Sequence, residues 1–175
     1  MVGQVKINSN HVFDQDKEGD ISIKGTILST ILSVTIPTEP LSFVLNPNEE
    51  PDKQFIASEF SITNNSRVPI TLELKEFVQI TDSMEDVMPD HYDDWGDLNL
   101  SESKSIALGL VPQVSDDWMS LNQGTYYVAN TTNAVLGRIK PQSTVDFKFS
   151  ALHGRAFGQD LSPQYRLTFI FDFED

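Results

Sequence analysis

Seven carboxylates crowd one stretch of this chain: Asp82, Glu85, Asp86, Asp90, Asp93, Asp94 and Asp97, with no Lys or Arg among them. Carboxylate oxygens are the donors that a hard cation takes, and Asp90, Asp93, Asp94 and Asp97 could offer four of them to Ca²⁺ from an irregular loop. Their spacing does not follow an EF-hand, so a solvated acidic loop is the preferred reading, with Ca²⁺ the one cofactor in view. Paired carboxylates also hydrolyse glycosides. In a chain this acidic such pairs arise freely, and no nucleophile, base and orienting partner can be assembled around them. Trp95 and Trp118 each follow two aspartates. Together they could form an aromatic platform for a sugar, with carboxylates accepting its hydroxyls. The plainer expectation is that both rings cap the ends of a core, because large aromatics are mostly buried. His11, His91 and His153 are scattered, and no two stand four residues apart as in a zinc-protease helix. Gly154 and Gly158 bracket Phe157 without a helix to follow, which leaves a tight loop rather than a phosphate cradle.

The elements that must hold these residues come from a chain of 175 residues, a length suited to one domain. It carries 26 acidic against 12 basic residues, a net charge of −14. Such a chain repels phosphate, which argues against nucleic acid and against anionic lipid as partners. There is no cysteine, so disulfides, thiolate nucleophiles and Cys-based metal sites drop out together. No apolar run approaches the length of a membrane span. Met1 to Asn10 lacks the charged-then-apolar pattern of a secretory signal.

Alternation at period two dominates the rest. Phe60 and Ile62, then Ile70, Leu72 and Leu74, read as two strands joined in a hairpin by the polar turn Asn64-Asn65-Ser66, with Pro69 at the start of the second. Leu28 to Ile36, Leu41 to Leu45, Ile106 to Val111, Tyr126 to Val128, Val135 to Ile139 and Val145 to Phe149 read likewise. Tyr165, Leu167, Phe169, Phe171 and Phe173 put an aromatic row on one face and call for a deep core opposite. Ser115-Asp116-Asp117-Trp118 carries the signals that open a helical turn. No segment has the pattern of an ordinary helix. The expectation is an all-β, antiparallel two-sheet β-sandwich, immunoglobulin-like or jelly-roll-like. It should have about ten strands and an acidic loop excursion. Residues 21–175 form the single domain. Residues 1–20 form an N-terminal arm, whose Val5, Ile7, Val12 and Phe13 could lie along a sheet edge, its own or a neighbour's.

Val34-Thr35-Ile36-Pro37-Thr38, Phe43-Val44-Leu45-Asn46-Pro47-Asn48 and Phe60-Ser61-Ile62-Thr63-Asn64-Asn65-Ser66 together resemble β-sandwich modules of Gram-positive cell-surface adhesins. Val68-Pro69-Ile70, Ile106-Ala107-Leu108-Gly109-Leu110 and Arg166-Leu167-Thr168-Phe169 continue the pattern. It is distantly similar to the camelysin/TasA class of biofilm fibre proteins. Modules of this type also occur among bacteriophage virion proteins. The resemblance implies a passive building block, and the expected function is a non-enzymatic structural subunit of a protein assembly. A virion protein is the first expectation, as a capsid decoration or a tail-associated subunit. A cell- or spore-surface fibre is the second, and a carbohydrate-binding module using Trp95 and Trp118 the third. The expected partners are other proteins, most simply copies of the same chain in a capsid or fibre lattice. The expected location is a virion or a bacterial surface.

Overall fold

The computed structural model describes residues 25–173. The arm at residues 1–20, with Val5, Ile7, Val12 and Phe13, and the short alternating piece at Ile21 to Ile23 lie outside the described residues. Within them the chain is all-β, and the longest helical elements are single 3-10 turns.

One sheet takes β1 (Val34–Thr35), β4 (Phe60–Asn64), β11 (Thr144–His153) and β7 (Ser105–Pro112) in that spatial order. The far edge of β7 is shared by β6 (Glu85–Asp86), paired in parallel, and β9 (Tyr126–Tyr127), paired antiparallel. The second sheet runs β12 (Tyr165–Phe173), β5 (Ile70–Gln79), β10 (Thr132–Ile139) and β8 (Trp118–Leu121). A separate ribbon pairs β2 (Phe43–Leu45) with β3 (Phe55–Ala57). The sequence suggested about ten strands, and twelve form among the described residues. The extra ones are short pieces such as β3 and β6, too brief to show a period.

The two sheets pack face to face as a β-sandwich. Ile62 on β4, Leu72 and Leu74 on β5, Leu108 on β7, Leu136 on β10 and Phe147 on β11 are all fully buried. Each contributes about 1.5–3 kcal/mol by leaving water. Phe60 stacks on Phe147 with centroids 5.1 Å apart, and Trp118 meets Phe147 edge-on at 6.0 Å. Aromatic contacts of this kind add to the burial term.

Three expectations are corrected. Phe60 to Lys75 is not a hairpin: β4 pairs with β1 and β11, whereas β5 pairs with β12 and β10. The polar turn between them is a corner that carries the chain from one sheet to the other. Asn64 drives it from inside, because its buried amide donates to the carbonyls of Val68, Ile139 and Lys140. Asp116-Asp117 leads into strand β8 rather than a helical turn. There the Trp118 indole N–H donates to Gln113 O at 2.9 Å, and the ring is drawn into the core. Finally, the stretch from Leu28 to Ile36 is a strand only at Val34–Thr35. Gly25 to Ser33 pairs with no strand among the described residues, and it is rooted at Ser33, whose N–H donates to Ser66 Oγ.

Candidate assembly surface

The acidic stretch folds onto the rim of the first sheet. Glu85 and Asp86 pair with Ser105 and Ile106 in β6, and 3-10 turns follow at Pro89–His91 and Trp95–Asp97. The Tyr92 hydroxyl lies 3.0 Å from Ser105 Oγ, and the Trp95 indole N–H donates to Pro89 O at 2.9 Å. These bonds hold the loop down by its aromatics and leave the carboxylates in water. Asp90, Asp93, Asp94 and Asp97 are all exposed. Asp94 spends an oxygen on the N–H of Gly96 at 2.7 Å, closing its own turn. No three His, Cys, Asp or Glu residues are gathered for a metal ion among the described residues. The structure therefore does not assemble the four aspartates into a ligand set.

Nor does it build the two-ring sugar platform. Trp118 is 7% exposed and packed on Phe147, so it has no face to offer. Trp95 stands in a different element, half-buried, with Tyr92 edge-on at 5.1 Å. His153 turns its Nδ1 to Gly154 O at 2.8 Å, and His91 lies against Tyr92.

One carboxylate among the seven is set apart by its partners: Asp86, which is half-buried. Gln79 Nε2 donates to its Oδ2 at 2.7 Å, and the Tyr165 hydroxyl donates to its Oδ1 at 3.0 Å. The other end of the Gln79 amide accepts the N–H groups of Ser83 and Met84, both at 3.0 Å. Gln79 is on β5, Asp86 on β6 and Tyr165 on β12, so one cluster ties the end of the second sheet to the rim of the first. Burial raises the Asp86 carboxyl above its ordinary range, and the bonds from Gln79 and Tyr165 work against that rise. Burial raises the Tyr165 phenol too, and the adjacent Asp86 charge and hydrogen bond raise it further. Tyr165 therefore stays protonated and keeps its donor pointed at Asp86.

Beside Tyr165 opens a groove of about 1140 Å³. Its walls include Phe43 and Leu45 of β2, Phe149 of β11, Tyr165 and Leu167 of β12, and Leu161 from the loop before β12. Phe43 and Tyr165 touch across it with centroids 6.0 Å apart. Among the described residues β12 is the last strand of its sheet and β2 an end of its ribbon. The aromatic row that seemed to demand a deep core is accordingly only half-covered: Phe169, Phe171 and Phe173 are all partly exposed.

The second unusual surface is the unpaired segment leading into β1. Ile27 is 98% exposed, Leu28 85% and Ile31 76%. Gly25 to Thr38 contains no charged residue, in a chain of net charge −14. That uncharged run was the available signal for this feature, although the alternation around it pointed to an ordinary strand. Among the described residues no helix is long and apolar enough to cross a membrane. Comparison with protein-family models, with curated sequences and with solved structures finds no match to this chain.

Proposed function

We propose that this chain is a non-enzymatic structural subunit that assembles with copies of itself. The observation that carries the reading is the exposed, uncharged segment from Gly25 to Ser33, with Ile27, Leu28, Ile31 and Leu32 left in water. Burying an Ile or Leu side chain fully returns about 1.5–3 kcal/mol. Four such residues within six positions, outside any sheet among the described residues, form an adhesive strip rather than scattered surface hydrophobics. A half-covered aromatic edge strand on the same molecule supplies a second unfinished surface. A virion lattice is the setting we place first, and a Gram-positive surface fibre uses the same chemistry. The carbohydrate reading loses support with the burial of Trp118.

The test is sedimentation velocity and electron microscopy of the full chain over a concentration series. A variant with Ile27, Leu28, Ile31 and Leu32 all changed to Ser is run beside it. The wild type should sediment as oligomers or grow into filaments or sheets, and the variant should stay monomeric with an unchanged melting curve. A wild type that remains monomeric at its highest soluble concentration refutes the proposal.

A further inference from the structure

We propose that the groove between β2 and β12 receives residues 26–32 of a second copy as an added strand. The inference rests on the self-assembly reading and names the surface through which it acts. Among the described residues β2 is bonded to β3 on one side only, and β12 to β5 on one side only. Both strands line the groove, with Phe43, Val44 and Leu45 of β2 and Tyr165 and Leu167 of β12. A strand edge carries unpaired N–H and C=O groups. Two edges bordering one apolar groove call for an occupant that can satisfy both rows, which is an extended backbone. A compact small molecule would fill the floor and leave both rows unpaired, and the volume exceeds the usual range for such ligands.

The side-chain chemistry matches on both faces. Toward the core, an added strand would meet Phe43, Phe149, Tyr165 and Leu167. On the outer face of the ribbon Val44 and Ile56 are paired in register and exposed, so that side is apolar as well. Successive side chains of a strand point to opposite faces. Residues 26–32 read Thr-Ile-Leu-Ser-Thr-Ile-Leu, with Leu28 and Leu32 on one parity and Ile27 and Ile31 on the other. With no charge in the segment, nothing carried into the groove needs a counter-ion. Seven extended residues span about 23 Å, enough to pass three-residue β2 and the Tyr165 to Leu167 end of β12 and to continue along the loop at 157–164, which also lines the groove.

The occupant comes from another copy because of where the segment is rooted. Ser33 is bonded to Asn65 and Ser66 at the corner between the sheets. Through Asn64 that corner joins the carbonyls of Ile139 and Lys140, beside the end of β5 where Ile70 pairs with Phe173. The groove lies along the opposite end of β12, at Tyr165 and Leu167. From its root the segment runs into solvent, with Ile27 touching almost nothing of its own chain. Filling the groove would join the β2–β3 ribbon and the second sheet into one continuous sheet.

The chain has no cysteine, so single introduced cysteines report cleanly. Thr30 and Gln164 are both exposed. Full-length Thr30→Cys is mixed with full-length Gln164→Cys under mild oxidation, and with Ser120→Cys on the free edge of β8 as the comparison. The expected result is a disulfide-linked pair with Gln164→Cys, in several-fold higher yield than with Ser120→Cys. Equal linkage to Ser120→Cys overturns the groove as the receiving surface. No linkage to Gln164→Cys, while wild type still forms oligomers, overturns it too and leaves the self-assembly reading standing. A Thr30→Cys/Gln164→Cys double variant that closes within a monomer shows that the chain fills its own groove, and overturns the second copy. A wild type that never oligomerises removes both readings.

Discussion

Replacing Asn64 with Ala removes the side chain that makes the corner between β4 and β5. Asn64 is fully buried. Its Nδ2 donates to Val68 O at 2.9 Å, Lys140 O at 3.0 Å and Ile139 O at 3.3 Å, and its Oδ1 accepts the Ser66 N–H at 2.8 Å. Two N–H groups shared among three carbonyls, and one accepted bond, make about three bonds; at a net 0.5–1.5 kcal/mol each, with the Ser66 N–H then left buried and unpaired, the loss is about 4 kcal/mol. Alanine leaves the N–H of the buried Ser66 without that acceptor. Since 1 kcal/mol shifts Tm by roughly 2–4 °C in a domain of this size, the expected drop is about 8–16 °C. Asn64→Asp should be at least as damaging, because an ionised carboxylate only accepts and would face three carbonyls. The neighbour provides the contrast: Asn65 is exposed and its side-chain amide donates to Thr35 Oγ1, so Asn65→Ala should cost under about 1 kcal/mol. Urea and thermal unfolding of the three variants make the measurement. An Asn64→Ala protein within 1 kcal/mol of wild type, or one less affected than Asn65→Ala, would refute the account of the corner.

Two further substitutions probe other parts of the frame. Gly137 sits at a bulge in β10 with φ +153°, and a Cβ there would lie 2.3 Å from Ser120 O and 3.0 Å from the Trp118 ring. Gly124 has φ +154° with nothing within 4 Å of an added Cβ. Gly124→Ala should therefore show the backbone strain alone, about 1–3 kcal/mol, and Gly137→Ala should exceed it by displacing β8. Equal melting curves for the two would argue against the close approach. For Asp86→Asn the readout is pH dependence. The native carboxyl is raised above its unfolded value by burial, so the folded state takes up its proton first. The stability linked to that shift is fully present below the unfolded pKa and is lost as pH rises through the folded one. Relative to Asp86→Asn, wild type should gain stability between pH 7 and about pH 4. A gap that is flat, or that closes in favour of the variant on acidification, contradicts the assignment.

Much of the sandwich was legible because period two marks which side chains share a face. Ile70, Leu72, Leu74, Val145 and Phe147 all read as inward and all are buried. What the pattern does not encode is which strand lies beside which. The alternating runs on either side of Asn64-Asn65-Ser66 suit a hairpin and a sheet-to-sheet corner equally. The choice was made by carbonyls some 75 positions away, at Ile139 and Lys140. The same limit applies to the acidic stretch. Its carboxylates are visible at once, whereas the selection of Asp86 over Asp90 or Asp94 depends on Gln79 and Tyr165 arriving from the other sheet. Trp95 and Trp118 look alike in sequence, each behind two aspartates, yet strand β8 takes one into the core and a surface turn holds the other at its rim.

β12 carries this reasoning to its end. An apolar row repeating at every second residue tells that one face is shielded, but it is silent on how many neighbours the strand has in its own sheet. An edge strand guarded against association is short, charged or bent away. β12 is nine residues long, with Tyr165, Leu167, Phe169, Phe171 and Phe173 on its inward parity. Arg166 and Asp172 put charge only on the outward parity. Among the described residues β12 is nonetheless last in the second sheet, and it shares a groove with β2 of the ribbon. Under the proposed strand addition, this long and lightly guarded edge is where the sheet gains its next strand. The uncharged segment from Gly25 to Ser33 has the composition such a strand needs.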